Sequence, residues 1–288
     1  LGLWLSLWLY TVPLTLICWC IPGSNVGLGT LRWAIFPVST QQLWFVAQYI
    51  LLLLLSPVLN LILRAVPRKG LLALLVLTGV FLVGYPTLFA EDGIFGDWLW
   101  SFLFLYLVTG YLRFYPDNRL SRLLRAPAAP WLALAFVVLL TAGRGVAQWL
   151  GIGGKLMQYL EYYRTALGAA PNLLCALCFF FVFQKLHLGS CKPVNVLASA
   201  TLGVYCIHQT PAVMGLLWTD LFHTPDHAGS AVYAVFVILA VYAGCTVIHL
   251  LRQRLVMRHL ENSRWFAALC RKGDESLKTL DKILPSGD

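Results

Sequence analysis

Gln41-Gln42-Leu43-Trp44-Phe45-Val46-Ala47-Gln48-Tyr49 runs through Ile50 into five leucines and ends in Ser56-Pro57-Val58-Leu59-Asn60, with Arg64 close behind. About 20 apolar residues at about 1.5 Å each cross the roughly 30 Å of hydrocarbon in a bilayer. The stretch therefore reads as a transmembrane helix, and its front end is polar and aromatic. Trp44 and Gln48 stand four residues apart on one helical face, with Tyr49 beside them. A lipid-facing helix offers a Gln no partner, whereas a helix lining a polar cavity does. An interfacial belt of Trp and Tyr at headgroup depth is the other reading of the same residues.

The rest of the chain has the same character. Of its 288 residues, 59% are hydrophobic and 11% charged, with a mean hydropathy of +0.76. A soluble domain carries about 25% charged residues. The fold class expected is all-α, a polytopic transmembrane helical bundle of about eight spans. The apolar runs are 1–21, 43–63, 71–89, 98–115, 131–150, 170–186, 194–218 and 230–251. All are too long for barrel strands. Arg64, Arg68 and Lys69 follow the second run; Arg113 lies at the end of the fourth, and Arg119, Arg122 and Arg125 follow it. Lys185 and Lys192 flank the turn after the sixth, and eight Lys or Arg follow residue 251. The intervening loops 90–97 and 219–229 hold acids and no Lys or Arg. The positive-inside rule then places both ends of the chain in the cytoplasm. Residues 1–251 form one membrane domain and 252–288 a basic cytoplasmic tail. Within that tail, 252–272 mixes bases with apolar residues and reads as a helix on the inner membrane surface. The chain opens at Leu1 inside an apolar run, and a preceding segment is expected.

Several functions lose support at this level. There is no internal repeat, Gly-rich phosphate loop, His-x-x-x-His pair or nucleic-acid signature, and the basic tail reads as an orientation signal. The net charge of +9 is a matter of placement. Cys175-x-x-Cys178 has no His or acid nearby to complete a metal site, so no metal is expected and the cysteines read as small core residues. No Asp or Glu lies mid-span, which argues against a proton-coupled transporter.

The polar residues inside spans are the site candidates. Arg144 reads either as a cation snorkelling outward or as one facing a cavity. Thr201, Tyr205, His208 and Gln209 share one face of the seventh run, and Pro211 is expected to kink the helix just beyond. A lone His is commonly structural, but the four-residue stripe favours a polar lining. Trp44, Gln48, Arg144 and His208 fall at similar depth, with Glu161-Tyr162-Tyr163-Arg164 in a loop outside them. A shared outward-tilted hollow is expected.

Three blocks carry a family resemblance. They are Pro37-Val38-Ser39-Thr40-Gln41-Gln42-Leu43-Trp44-Phe45-Val46-x-x-Tyr49 with Leu55-Ser56-Pro57-x-Leu59-Asn60, then Phe104-Leu105-Tyr106-Leu107-x-x-Gly110-Tyr111-Leu112-Arg113-x-Tyr115, then Ser199-x-Thr201-Leu202-Gly203-Val204-Tyr205-x-Ile207-His208. Together they resemble the integral-membrane acyltransferase family three, bacterial enzymes that O-acetylate surface polysaccharides. The resemblance implies a bacterial cell-membrane O-acyltransferase that moves an acetyl group from acetyl-CoA to a hydroxyl of a surface glycan or lipid-linked saccharide. It implies membrane lipids as surroundings, no nucleic acid and no bound cofactor. The family usually has ten spans, with its catalytic His and a basic partner on the first and an Arg pair before the third. No residue here matches those, so the catalytic residues are expected in the preceding segment and this chain alone is expected to be inactive. His208 occupies a different family position. Acyl transfer needs a base for the acceptor hydroxyl and donors for the oxyanion, and His suits the first task near neutral pH. The basic inner loops could attract CoA phosphates, although topology accounts for their charge equally well. A transporter or lipid-linked glycan flippase is the alternative function.

Overall fold

Backbone N–H and C=O groups find no water in hydrocarbon, so an apolar chain of this kind satisfies them internally as helix. The computed structural model describes residues 2–22, 24, 26–93, 98–166, 168–186, 189–227, 229–261, 263, 268, 271–272 and 275, and every regular element among them is helical. In chain order these are α1 (Gly2–Trp19), α2 (Leu28–Ile35), α3 (Trp44–Ala65), α4 (Arg68–Phe89), α5 (Trp98–Phe114), α6 (Arg119–Leu124), α7 (Ala129–Trp149), α8 (Lys155–Thr165), α9 (Ala170–Lys185), α10 (Lys192–His208), α11 (Pro211–Gly215) and α12 (Ala231–Arg252). Five helical stretches among the described residues are long and apolar enough to cross a membrane: α3, α4, α7, Lys155–Lys185 and Ala231–Met257. Leu3–Trp19 and α5 are shorter apolar helices. The result is a polytopic helical bundle.

Each of the eight apolar runs carries a helix, but three boundaries differ from expectation. The seventh run is not one helix. Thr210 adopts an extended backbone (φ −65°, ψ 122°), and α11 begins at Pro211 and passes into a wider π-helical turn over Leu216–Leu221. Proline disfavours helical backbone in the residue before it and suits the first position of a helix, so the chain breaks where a kink was expected. Residues 151–169, read as a loop, contain α8. The turn into α8 runs through Gly151 and Gly154, both at positive φ (66° and 73°), where residues with a Cβ are strained. The helix of the last run does not stop at 251. A π-helical turn at Gln253–Met257 carries it into Arg258–Glu261. Most of the remaining tail lies outside the described residues.

The chain divides into two compact units. The first comprises Leu1–Ala47 with Gly189–Ser286, and the second Gln48–Leu188. In the first, α10 packs along α12 and against α1, while α1 also meets α2 and α11. The buried Thr11 of α1 donates its hydroxyl to the Ala34 carbonyl at 2.7 Å, which ties α2 to α1. In the second, α4 packs on α5, and α9 packs on α7 and α6. Leu63, Leu71, Phe104, Tyr111, Leu177 and Phe181 belong to its apolar core. The start of α6 is capped by Asn118, whose side chain accepts from the Ser121 N–H at 2.7 Å, an interaction worth about 1 kcal/mol.

Candidate functional site

The expected site residues are distributed over both units. In the first, Trp44 is half-buried and meets Phe45 edge-on. The Phe45 N–H at the start of α3 donates to the Tyr205 hydroxyl at 3.2 Å. His208 donates from Nδ1 to the Val204 carbonyl at 2.7 Å, so in the neutral ring Nε2 is the acceptor. Its ring stands edge-on to Tyr205 and Trp218. His208 and Gln209 are half-buried and Thr201 is exposed, whereas Ala200, Gly203, Val204 and Ile207 form the buried face of α10. In the second unit, Gln48 is 1% exposed, with no hydrogen-bond partner for its Oε1 among the described residues, and Tyr49 is exposed.

Arg144, also in the second unit, is neither snorkelling alone nor unpartnered. Its Nε donates to Glu161 at 2.5 Å and its Nη1 to Gln148 at 3.1 Å. Arg164 pairs with the other carboxylate oxygen of Glu161. Nothing in the sequence marks 155–165 as a helix, so the partner of Arg144 is not apparent from it. The tyrosines of that helix have their own task. The last four carbonyls of any helix lack an intrahelical partner, and α4 ends with Thr87, Leu88 and Phe89. Tyr163 donates to the Thr87 carbonyl at 2.5 Å and Tyr159 to the Leu88 carbonyl, while Tyr162 donates to Asp92 at 3.0 Å. Changing Tyr159 and Tyr163 together to Phe should cost about 1–3 kcal/mol, because two carbonyls lose their donors. Thermal unfolding in detergent would measure it, and an unchanged midpoint would show that water caps α4 equally well.

Two hollows lie within the second unit. One, of about 240 Å³, sits where α4 ends and α5 begins, and is lined by Asp92, Trp98, Ser101 and Tyr162 among others. The second, of about 950 Å³, sits at the other end of α5. Asn60 and Arg64 of α3, Tyr106, Gly110 and Arg113 of α5, Arg125, and Phe181 and Gln184 of α9 line it, and no Asp or Glu does. The Tyr106 hydroxyl donates to Asn60 Oδ1 at 2.9 Å across the wall. Gly110 lets α3 approach, since a Cβ there would lie 2.5 Å from Leu63 Cδ1. Arg125 stacks on the Phe181 ring at 5.1 Å, and its carbonyl accepts from Lys185 at 2.8 Å. The family model for the acyltransferase domain of family three matches residues 1–250. The chain belongs to acyltransferase family three. No curated protein and no solved structure matches it significantly.

In this acyltransferase the larger hollow joins two of the family-like blocks. Asn60 closes the first block, and Tyr106, Gly110 and Arg113 belong to the second. Of the loop bases that could attract CoA phosphates, Arg64 and Arg125 line the hollow. Arg68 stacks on Tyr115 at 5.3 Å instead.

One polar cluster was missed. In the first unit the buried Tyr10 shares a hydrogen bond with His249 Nδ1. The Arg252 guanidinium lies 3.9 Å from the centre of the Tyr10 ring. His249 sits inside Val247-Ile248-His249-Leu250-Leu251 and Tyr10 is 239 residues away, so neither draws notice alone. The legible signal was the spacing of His249 and Arg252, three apart on one face of an apolar helix.

Proposed function

We propose that this chain is the donor-binding part of a membrane O-acyltransferase: it binds acetyl-CoA or a related acyl-CoA in the 950 Å³ hollow, and the acyl group passes to a saccharide hydroxyl with catalytic residues that this chain does not supply. The observation that carries the reading is the basic lining. Three arginines and no carboxylate surround a space at the upper end of the range for ligand pockets, about 300–1,000 Å³. Arginine forks suit phosphate oxygens, and Tyr106, Asn60 and Gln184 suit amides such as those of a pantetheine arm. The charge pattern of loops 64–70 and 113–130 supports a cytoplasmic position for this end, on the side where acyl-CoA is made. The smaller hollow at the other end of α5 offers Trp98 and Tyr162 rings beside the Asp92 carboxylate, a combination that stacks on a sugar ring and accepts from its hydroxyls.

Donor binding can be tested without turnover. Purified chain in detergent should bind acetyl-CoA, and CoA should compete for it. Pantetheine, which lacks the phosphates, should compete at least tenfold less well. Equal competition by pantetheine would remove the phosphate-reading role from the hollow. Because the family's His and Arg-pair blocks have no counterpart in residues 1–288, binding without glycan-dependent CoA release is expected. Release above background would place catalytic residues within this chain.

A further inference from the structure

We propose that the smaller hollow, where α4 ends and α5 begins, holds a single uncharged sugar ring of the acceptor and rejects rings that carry a carboxylate or a phosphate. That selectivity deepens the saccharide reading given above and depends on it. The hollow measures about 240 Å³. Sites for drug-sized ligands run to about 300–1,000 Å³, so this one has room for one ring and not for a chain. Phe81, Pro86, Trp98 and Tyr162 give it a largely aromatic and apolar wall beside Asp92. A sugar ring presents C–H faces to such a wall and hydroxyls at its edge.

The charge of the wall sets the selectivity. Asp92 lines the hollow and, among the described residues, no Lys or Arg does. Between Lys69 and Arg113 the sequence holds Glu91, Asp92 and Asp97 and no base. On the other wall, residues 165–184 carry no charge. Arg164, just before them, is paired with Glu161, which also holds Arg144. A carboxylate has about four lone-pair positions, and the Tyr162 hydroxyl uses one of those on Asp92, at 3.0 Å. What remains for a ligand is acceptor capacity and negative charge, and sugar hydroxyls supply the donors. A second carboxylate or a phosphate in the same small space would meet like charge with no cation to offset it. The arginine-lined hollow at the other end of α5 has the reverse charge. One unit thereby separates an anionic donor from an uncharged acceptor.

The wall is also fastened in place. The Asn172 side-chain amide donates to the Tyr163 and Ala166 carbonyls at 2.7 and 2.6 Å, which ties α9 to the end of α8. The Ala170 N–H donates to Thr87 Oγ1 at 2.8 Å and ties α9 to α4. Gly168 comes so close to α4 that a Cβ there would lie 3.1 Å from the Leu82 carbonyl oxygen. A cleft held by such contacts loses little entropy when a ligand enters, so charge complementarity weighs heavily in what it admits.

The test uses the full chain in a polyoxyethylene detergent, because the headgroups of sugar detergents would compete. Saturation-transfer NMR with competition, at pH 7, follows the methyl glycosides of glucose, galactose and N-acetylglucosamine. The deciding probes are methyl glucuronide and methyl galacturonide, each beside its uncharged, isosteric amide. At least one neutral glycoside should bind, and the better amide should bind at least tenfold more tightly than its acid. Asp92→Asn keeps an acceptor for the Tyr162 hydroxyl and should bring acid and amide to within about threefold. Asp92→Lys should reverse the preference, and Trp98→Ala should weaken every ring. Should a variant fail to fold, the wild-type ratio of acid to amide still decides. Equal binding of acid and amide overturns the selectivity; if Trp98→Ala then loses both, the saccharide reading stands. A preference for the amide that persists in Asp92→Asn also overturns the proposal, since the discrimination then lies elsewhere. Binding of no ring, with acetyl-CoA still bound, overturns it together with the sugar role of the hollow and leaves the donor reading intact.

Discussion

Gly203→Ala is expected to destabilise the protein by about 3 kcal/mol, whereas Gly244→Ala should stabilise it by about 1 kcal/mol. Both glycines lie inside apolar helices, Gly203 in α10 and Gly244 in α12. Helix propensity alone favours Ala at each, because Gly loses more backbone entropy on folding. Their surroundings decide the sign. Nothing stands within 4 Å of a Cβ built on Gly244. A Cβ on Gly203 would lie 2.5 Å from the Tyr10 hydroxyl and 2.7 Å from His249 Cγ. These belong to rigid rings packed between helices, not to the far ends of flexible chains, so neither can swing clear cheaply. The methyl must push α10 off α12 or break the Tyr10–His249 hydrogen bond. Overpacking costs about 1–3 kcal/mol and a broken buried hydrogen bond about as much again. Heat-induced loss of monodisperse protein in detergent would report both variants. A stabilised Gly203→Ala would mean that the Tyr10–His249 pair is held far more loosely than its burial implies.

The helices that hydropathy reveals are those whose buried and lipid-facing sides are both apolar. In α3, Leu51–Leu55 needs no partner to announce a helix, since the length of the apolar run decides it. Pro211 announced the break in the seventh run by the same kind of local rule, its missing N–H. The helix α8 was illegible for a specific reason. Its inward groups are Tyr159, Tyr162 and Tyr163, which dock through hydroxyls onto Thr87, Leu88 and Asp92, and such contacts leave no apolar periodicity.

Polar pairs follow a similar division. That Arg144 needed compensation followed from its position in a span, but its partner did not. Glu161 lies 17 residues on, across a turn that depends on two positive-φ glycines. His208 stood out because polar neighbours surround it in sequence, while His249 is the more buried of the two and sits among aliphatic residues. What the sequence shows is local polarity. What buries a His is the neighbour that folding brings, here Tyr10 from the opposite end of the chain.

The arginines of the larger hollow should separate from those that merely flank it. Arg113→Gln and Arg64→Gln are each expected to raise the Kd for acetyl-CoA about 10- to 100-fold. The magnitude follows from one lost charged hydrogen bond to phosphate, about 1.5–3 kcal/mol, at 1.4 kcal/mol for each factor of ten. Arg125 should matter less than either, because the Phe181 ring already engages its guanidinium. Arg119 provides the contrast. It belongs to the same basic segment as Arg113 and Arg125 but is not among the residues that line the hollow. Arg119→Gln should therefore change Kd by less than about twofold, as expected for a charge acting only through screened solvent. Added salt should weaken wild-type binding more than binding by the Arg64→Gln/Arg113→Gln protein, which has fewer phosphate contacts to screen. Equilibrium binding of labelled acetyl-CoA at low and high ionic strength supplies all of these numbers. Equal losses at Arg119 and Arg113 would assign the attraction to the positive inner surface as a whole. Those arginines would then serve to orient the chain in the membrane, and the hollow would have no part in holding the donor.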